Sequence, residues 1–325
     1  MIDRRRFVHA LGAGIAMAPL AVAAQPPRRM PRIGVLKPGA VGSGMETLRQ
    51  GLQELGYVEG RTIVIEPRWW DGKPERLKEL AAELVRLQPD VIVVGGSEAT
   101  QAVKEATRTI PVVFNGPSYP VEEGLVESFA RPGGNVTGIT VAQSDFVAKL
   151  IELLRQVAPT LDDVGVIWSS ANPGARFLLR DTQAAARGAN LKLIAVSMSS
   201  AGEVEPALAE LARSRPGALI VHPAAVPLAH GARIGEWAIR SRIPSITQQK
   251  LLAERGLLMS YGADSRVIET RVPHYVDRIL KGARPADLPV ERPTKFELAI
   301  NMRTARTIGI VVPPSLRLRA DTLIE

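Results

Sequence analysis

Val91-Ile92-Val93-Val94-Gly95-Gly96-Ser97-Glu98-Ala99-Thr100 joins an unbroken apolar, β-branched run to a glycine pair and then to a capping serine ahead of an amphipathic stretch. A strand with no polar face belongs inside a parallel sheet that is covered by helices on both sides. Working outward, the same alternation recurs. Upstream lie an apolar run at 33–36, a helical pattern near 45–56, a run at 62–66 and a helical pattern near 75–87; a helical pattern near 98–107 follows directly. Further short runs at 111–114, 136–140, 164–168, 191–196, 218–221 and 257–261 are separated mostly by helical stretches. This rhythm predicts an α/β protein with doubly covered parallel sheets.

The pattern also repeats loosely. Arg108-Thr109-Ile110-Pro111-Val112 closes a helix and opens a strand much as Arg242-Ile243-Pro244-Ser245-Ile246 does, which suggests two similar lobes. Residues 128–138, with Arg131-Pro132-Gly133-Gly134-Asn135 at their centre, are the most turn-rich stretch between the lobes and the expected place to cross. The proline-rich residues 282–293 read as a late connection.

The first 24 residues have a separate logic. Arg4-Arg5-Arg6-Phe7 precedes an uncharged Ala- and Gly-rich run from Val8 to Leu20 and small residues at Ala21, Ala23 and Ala24. That is the layout of an export signal, with cleavage expected after Ala23 or Ala24, and the arginines before Phe7 fit the twin-arginine type as well as the general secretory one. The run falls short of the roughly 20 residues that span a bilayer. The mature chain is therefore expected in the periplasm, unanchored.

Composition narrows the chemistry. There is no cysteine, which excludes disulfides, thiolate metal sites and a lipidated N-terminal cysteine. Loss of the signal removes three arginines and one aspartate, lowering the formal charge from +8 to +6. Those charges are scattered among acids with few aromatics beside them, so no nucleic-acid surface is expected.

Open α/β sheets take ligands at the carboxyl ends of their strands. In the first lobe the loops to watch are Lys37-Pro38-Gly39, Gly95 to Thr100, and Asn115 to Pro120 with Tyr119; in the second they are Ser169 to Gly174 with Asn172, His222-Pro223, Thr247-Gln248-Gln249, and Tyr261-Gly262. Ser97 and the N–H groups after it suit a carboxylate, against the plainer reading of a helix cap. Gly39-Ala40-Val41-Gly42-Ser43-Gly44 matches neither dinucleotide nor phosphate-loop spacing and reads as a mobile loop. His222 ends an apolar strand at the ligand edge, whereas His230 and His274 fall in helical patterns; their spacing gives no zinc site, and no Gly-x-Ser-x-Gly elbow occurs. Phe114, Tyr119, Trp168 and Tyr261 stand at strand ends where flat rings wall a pocket or fill a core, and one of Trp69-Trp70 points outward if its strand runs that far.

The chain resembles the tryptophan/tyrosine-type substrate-binding proteins of ABC transporters. The residues that carry this are 49–60, Gly124-Leu125-Val126, Arg131 to Gly138, Ala171-Asn172-Pro173 and 275–301, the last ending in Thr294-Lys295-Phe296-Glu297-Leu298. The resemblance implies a type I periplasmic-binding fold: a signal peptide at 1–24, lobe 1 at 32–140 plus 263–284, and lobe 2 at 141–262 plus 285–325. It implies hinge closure over a small carboxylate-bearing ligand, aromatic or amino-acid-like, and delivery to an inner-membrane ABC permease by a monomer with no cofactor, no metal and no catalysis.

Ser97, Ala99, Asn172, His222 and Tyr261 fall where the family's ligand loops fall, beside Lys37, Thr100, Asn115, Tyr119, Ser169 and Gln248 from the strand-edge reading. Ser118-Tyr119-Pro120 replaces the usual Gly-Asp-Pro and Trp168-Ser169-Ser170 replaces Trp-Asn-Pro. The lost aspartate weakens the case for an amine on the ligand. A periplasmic sensor, or less readily an exported α/β enzyme dependent on His222, are the alternatives; the export signal argues against a transcription regulator.

Overall fold

The structure, a computed structural model, describes residues 29–39, 45–141 and 146–325. The expected signal peptide and the 40–44 part of the glycine-rich loop lie outside the described residues.

The first sheet grows from strand–helix units. β1 (Arg32–Lys37) leads to α1 (Glu46–Glu54), β2 (Val64–Trp69) to α2 (Leu77–Arg86), and β3 (Val91–Gly95) to α3 (Ser97–Ala106); β4 (Val112–Asn115) and β5 (Val136–Ile139) complete it. The order is β2-β1-β3-β4-β5, all parallel. Alternation along the strands sorts the side chains into two cores. Ile33, Val35, Val91 and Val93 meet Leu48 and Leu52 of α1, while Leu36, Ile92, Val94 and Phe114 meet Leu77, Leu80, Ala99 and Val103 of α2 and α3. The tryptophan pair straddles the sheet, with Trp69 partly buried on the first side and Trp70 fully buried on the second.

The turn-rich stretch 128–138 does not carry the crossing. Its Ser128 hydroxyl bonds Arg131 at 3.0 Å and shapes a surface turn, and the chain then enters β5, whose pairing with β4 runs from Val112↔Val136 to Asn115↔Ile139. The chain leaves the first sheet only beyond that strand.

The second sheet continues through α4 (Phe146–Val157), β6 (Asp163–Trp168), α5 (Ala175–Gly188), β7 (Lys192–Ser197), α6 (Val204–Ser214), β8 (Leu219–Val221), α7 (Ala225–Ala229), α8 (Gly231–Arg240), β9 (Ser245–Thr247), α9 (Lys250–Glu254) and β10 (Met259–Ala263). α10 (Ser265–Leu280) then returns to the first sheet, burying Val272 and Val276 beside α1. Residues 285–291 run along that sheet's edge: the Thr137 hydroxyl donates to the Leu288 carbonyl at 2.6 Å, and the Val290 N–H to the Phe129 carbonyl at 2.7 Å. β11 (Phe296–Asn301), α11 (Met302–Ile308), α12 (Pro314–Arg319) and β12 (Thr322–Ile324) return to the second sheet, whose order is β12-β11-β10-β9-β8-β6-β7. Its pairings are parallel except β10 with β11, which is antiparallel. The result is the doubly wound, two-sheet architecture that the alternation predicts.

Candidate functional site

The carboxyl ends of β1, β3 and β4 face those of β6 and β8 across a cleft of about 740 Å³. From the first lobe Lys37, Ser97, Glu98, Asn115 and the indole of Trp70 line it; from the second come Ser169, Asn172, His222 and the Pro223 to Ala225 turn. Six of the residues singled out in the sequence therefore share one cavity: Lys37, Ser97, Asn115, Ser169, Asn172 and His222.

Five do not. Ala99 and Thr100 are fully buried in the first turn of α3, where the Thr100 hydroxyl donates to the Gly96 carbonyl at 2.6 Å and so braces the loop from behind. Tyr119 and Gln248 line an adjoining cavity of about 590 Å³ that also holds Asp181 and Arg180. Tyr261 lines neither cavity. β10 extends to Ala263 instead of ending in a loop, and alternation turns its ring between Phe146 (centroids 5.6 Å apart) and Phe296 (6.0 Å) in the second lobe's core.

His222 is 1% exposed and bonded at both nitrogens: Nε2 lies 2.8 Å from the Thr182 hydroxyl and Nδ1 3.4 Å from Nε2 of Gln248. The Thr182 hydroxyl also reaches the Leu178 carbonyl at 2.6 Å, which it can only donate to. It therefore accepts from His222, whose proton sits on Nε2 while Nδ1 accepts from the Gln248 amide. Burial holds the imidazole neutral, with its pKa lowered to about 4. The ring thus offers the cleft an uncharged face and no spare nitrogen. Burial also depresses the Lys37 ammonium, against the opposing pull of Glu269.

The acids of this wall are what sequence reasoning missed. Glu98 is 8% exposed and its carboxyl is pushed up to about 7, chiefly by burial, with the Glu123 charge adding to the rise. The backbone N–H groups of Glu98 itself and of Ala225, in the opposite lobe, favour its ionised form. Glu123 lies behind it and is also raised by burial, although the Ser97 hydroxyl and the Tyr119 N–H donate to it. Ser97, expected to serve a ligand carboxylate, thus spends its hydroxyl on an internal one. In the sequence Glu98 looks like any acid in the first turn of a helix, where the dipole welcomes it; that Ala225 of the opposite lobe reaches it is visible only in the fold.

The lobes touch across the cleft. Beyond Glu98 and Ala225, the Tyr119 hydroxyl reaches Asp181, and Gly72 faces Ala229 closely enough that a Cβ on it would sit 3.4 Å from that methyl. The cavity is of the size of small-molecule sites and is lined from both lobes. Residues 37–324 match the model of the family described as ABC transporter substrate binding protein. The chain belongs to that family.

Relatives of this substrate-binding protein are alike along most of its length. A curated tyrosine-binding protein of Clostridioides difficile (strain R20291) is 24% identical over 263 residues, 80% of this chain and 75% of the relative. A solved conserved domain protein of Vibrio cholerae superposes with TM-score 0.85 at 26% identity, covering 90% of this chain and 99% of that one. An ABC domain in complex with L-Trp from Streptococcus pneumonia superposes with TM-score 0.82 at 25% identity and the same coverage. The fold is that of the type I periplasmic binding proteins. Among the described residues, no helix is long and apolar enough to cross a membrane.

Proposed function

We propose that this substrate-binding protein is exported to the periplasm, captures a small carboxylate-bearing ligand of aromatic or amino-acid-like type between its lobes, and delivers it to an ABC permease without chemical turnover. The observation that carries the reading is the cleft of about 740 Å³, lined from both lobes, in a family whose relatives include a tyrosine-binding protein and an L-Trp-bound domain. That volume falls within the range of small-molecule sites. Lys37 from the first lobe, and the start of α5 behind Asn172 from the second, supply positive potential for a carboxylate. Asn115, Ser169 and the His222 face contribute shape and polar contact, with Trp70 as an aromatic wall. Tyr119 and Gln248 act at the adjoining cavity, and Ala99, Thr100 and Tyr261 support the ligand loops from behind.

Closure then works by differential contact: a ligand that touches both lobes binds the closed arrangement better than the open one and shifts the population toward it. A thermal-shift screen of protein unfolded and refolded to strip carried-over ligand tests this. Ligand at about 100 times its dissociation constant adds roughly 2.7 kcal/mol of stability. Stabilisation by amino acids or aromatic carboxylates supports the reading, and no response from either class overturns it.

A further inference from the structure

We propose that Glu98 is the specificity determinant of the cleft, accepting hydrogen bonds from a cationic ammonium group on the ligand. This rests on the binding-protein reading above and deepens it.

Three acids line the cleft among the described residues, and they differ in setting. Asp71 is exposed to solvent, and Glu269 acts on Lys37. Glu98 is the buried one. Its side chain folds back over the glycine turn, with Oε2 3.6 Å from where a Cβ on Gly96 would lie. Gly96 holds a φ of 83°, a left-handed conformation that a side chain would strain.

No Lys, Arg or His among the described residues forms an ion pair with Glu98. Instead, the Glu123 carboxylate stands behind it, and the Oε2 of Glu123 is itself buried without a hydrogen-bond partner. Arg176 acts on Glu123, whereas Glu98 has no such cation; its buried carboxylate, with a second one behind it, carries a desolvation cost that a bound cation offsets. Helix-dipole complementation alone does not account for Glu98, because that role is met by a solvated carboxylate and gains nothing from burial against the opposite lobe.

A primary ammonium matches the geometry. It presents three donors, and Glu98 is an acceptor that closure brings against the second lobe at Ala225. The ligand then carries an amine together with its carboxylate.

The test is calorimetric titration of wild-type protein and Glu98→Gln with paired probes: L-tryptophan, L-tyrosine and L-leucine against their des-amino counterparts indole-3-propionate, 3-(4-hydroxyphenyl)propionate and 4-methylpentanoate. Truncating one partner of a buried charge pair costs enough to weaken binding by about 30-fold or more. The amino acid that binds wild-type protein is expected to lose about that factor in Glu98→Gln, while its des-amino partner, already weak, changes by less than about threefold. The melting temperature of the unliganded variant, unchanged or raised, establishes that it is folded. Des-amino acids binding wild-type protein as tightly as the amino acids, or Glu98→Gln binding amino acids unimpaired, overturns the inference and leaves the binding-protein reading standing. Failure of every probe on wild-type protein overturns both.

Discussion

The Tyr119 hydroxyl donates to the Asp181 carboxylate at 2.7 Å, joining a loop at the end of the first sheet to a helix of the second lobe. Arg180 flanks the same carboxylate at 2.9 Å, and the Tyr119 ring lies 5.7 Å from that of Phe177. On the proposed closure mechanism, separating the lobes breaks this contact, so it would act as a latch. The Tyr119→Phe substitution keeps the ring and removes the bond. A net loss of about 1 kcal/mol is expected, weakening the apparent affinity for ligand by roughly fivefold through a smaller closed population. Small-angle scattering of the unliganded protein should show a larger radius of gyration for the variant. Unchanged dimensions and affinity would count against a latch.

Thr182 holds His222 by accepting from its Nε2 at 2.8 Å. The Thr182→Val substitution preserves shape but leaves the buried His222 Nε2–H without its partner. Stability is expected to fall by about 1–3 kcal/mol, read from urea unfolding midpoints at constant slope.

Two buried groups tilt stability with pH in opposite directions. Glu98 has a folded pKa of about 7, above its ordinary 4.5, so the folded state holds a proton that the unfolded state has released. Its contribution is complete below pH 4.5 and is lost as pH rises through 7. His222 has a folded pKa of about 4, below its ordinary 6.5; its contribution is complete above pH 6.5 and is lost as pH falls through 4. Between pH 5 and 8 the unliganded Glu98→Gln variant should lose less stability than wild type, by at most about 3 kcal/mol. Parallel stability profiles for the two proteins would refute the assignment.

Gly262, in β10, passes so close to the chain before α9 that a Cβ would lie 1.9 Å from the Gln248 carbonyl oxygen. Backbone cannot yield there as a flexible side chain can. The Gly262→Ala substitution is expected to cost several kcal/mol and to disturb Gln248, the partner of His222. Melting by circular dichroism checks it, and a native-like midpoint would contradict the packing.

How legible all this was depends on where each element's reasons lie. β3 and α3 are written locally, as a run apolar on both faces followed by a glycine pair and an amphipathic stretch, and they form as the pattern predicts, except that Gly96 and not Ser97 holds the N-cap position. β11 is not. Its partner β10 lies well upstream and runs the other way, which breaks the strand-then-helix rhythm on which the reading depends, and β12 is only three residues long. Tyr261 beside Gly262 resembles a loop residue until β11 arrives to extend the strand past it. Glu98 is ambiguous for the same kind of reason, since Ala225, whose backbone reaches it, comes from the other lobe. Lys37, Ser97, Asn115, Ser169, Asn172 and His222 needed only the rule that ligands gather at strand carboxyl ends, and they share the cleft.

The return of α10 to the first sheet and of β11 to the second has a consequence for biosynthesis. When the ribosome has made residue 263, the first sheet still lacks the helix that buries Val272 and Val276 over it, and the second lacks the strand that will pair with Met259 to Ala263. Neither half is complete at that point, so a nascent chain interrupted there exposes two unfinished apolar faces at once. Completion of both halves is deferred to the last few dozen residues, and quality control on the emerging polypeptide has to bridge that interval.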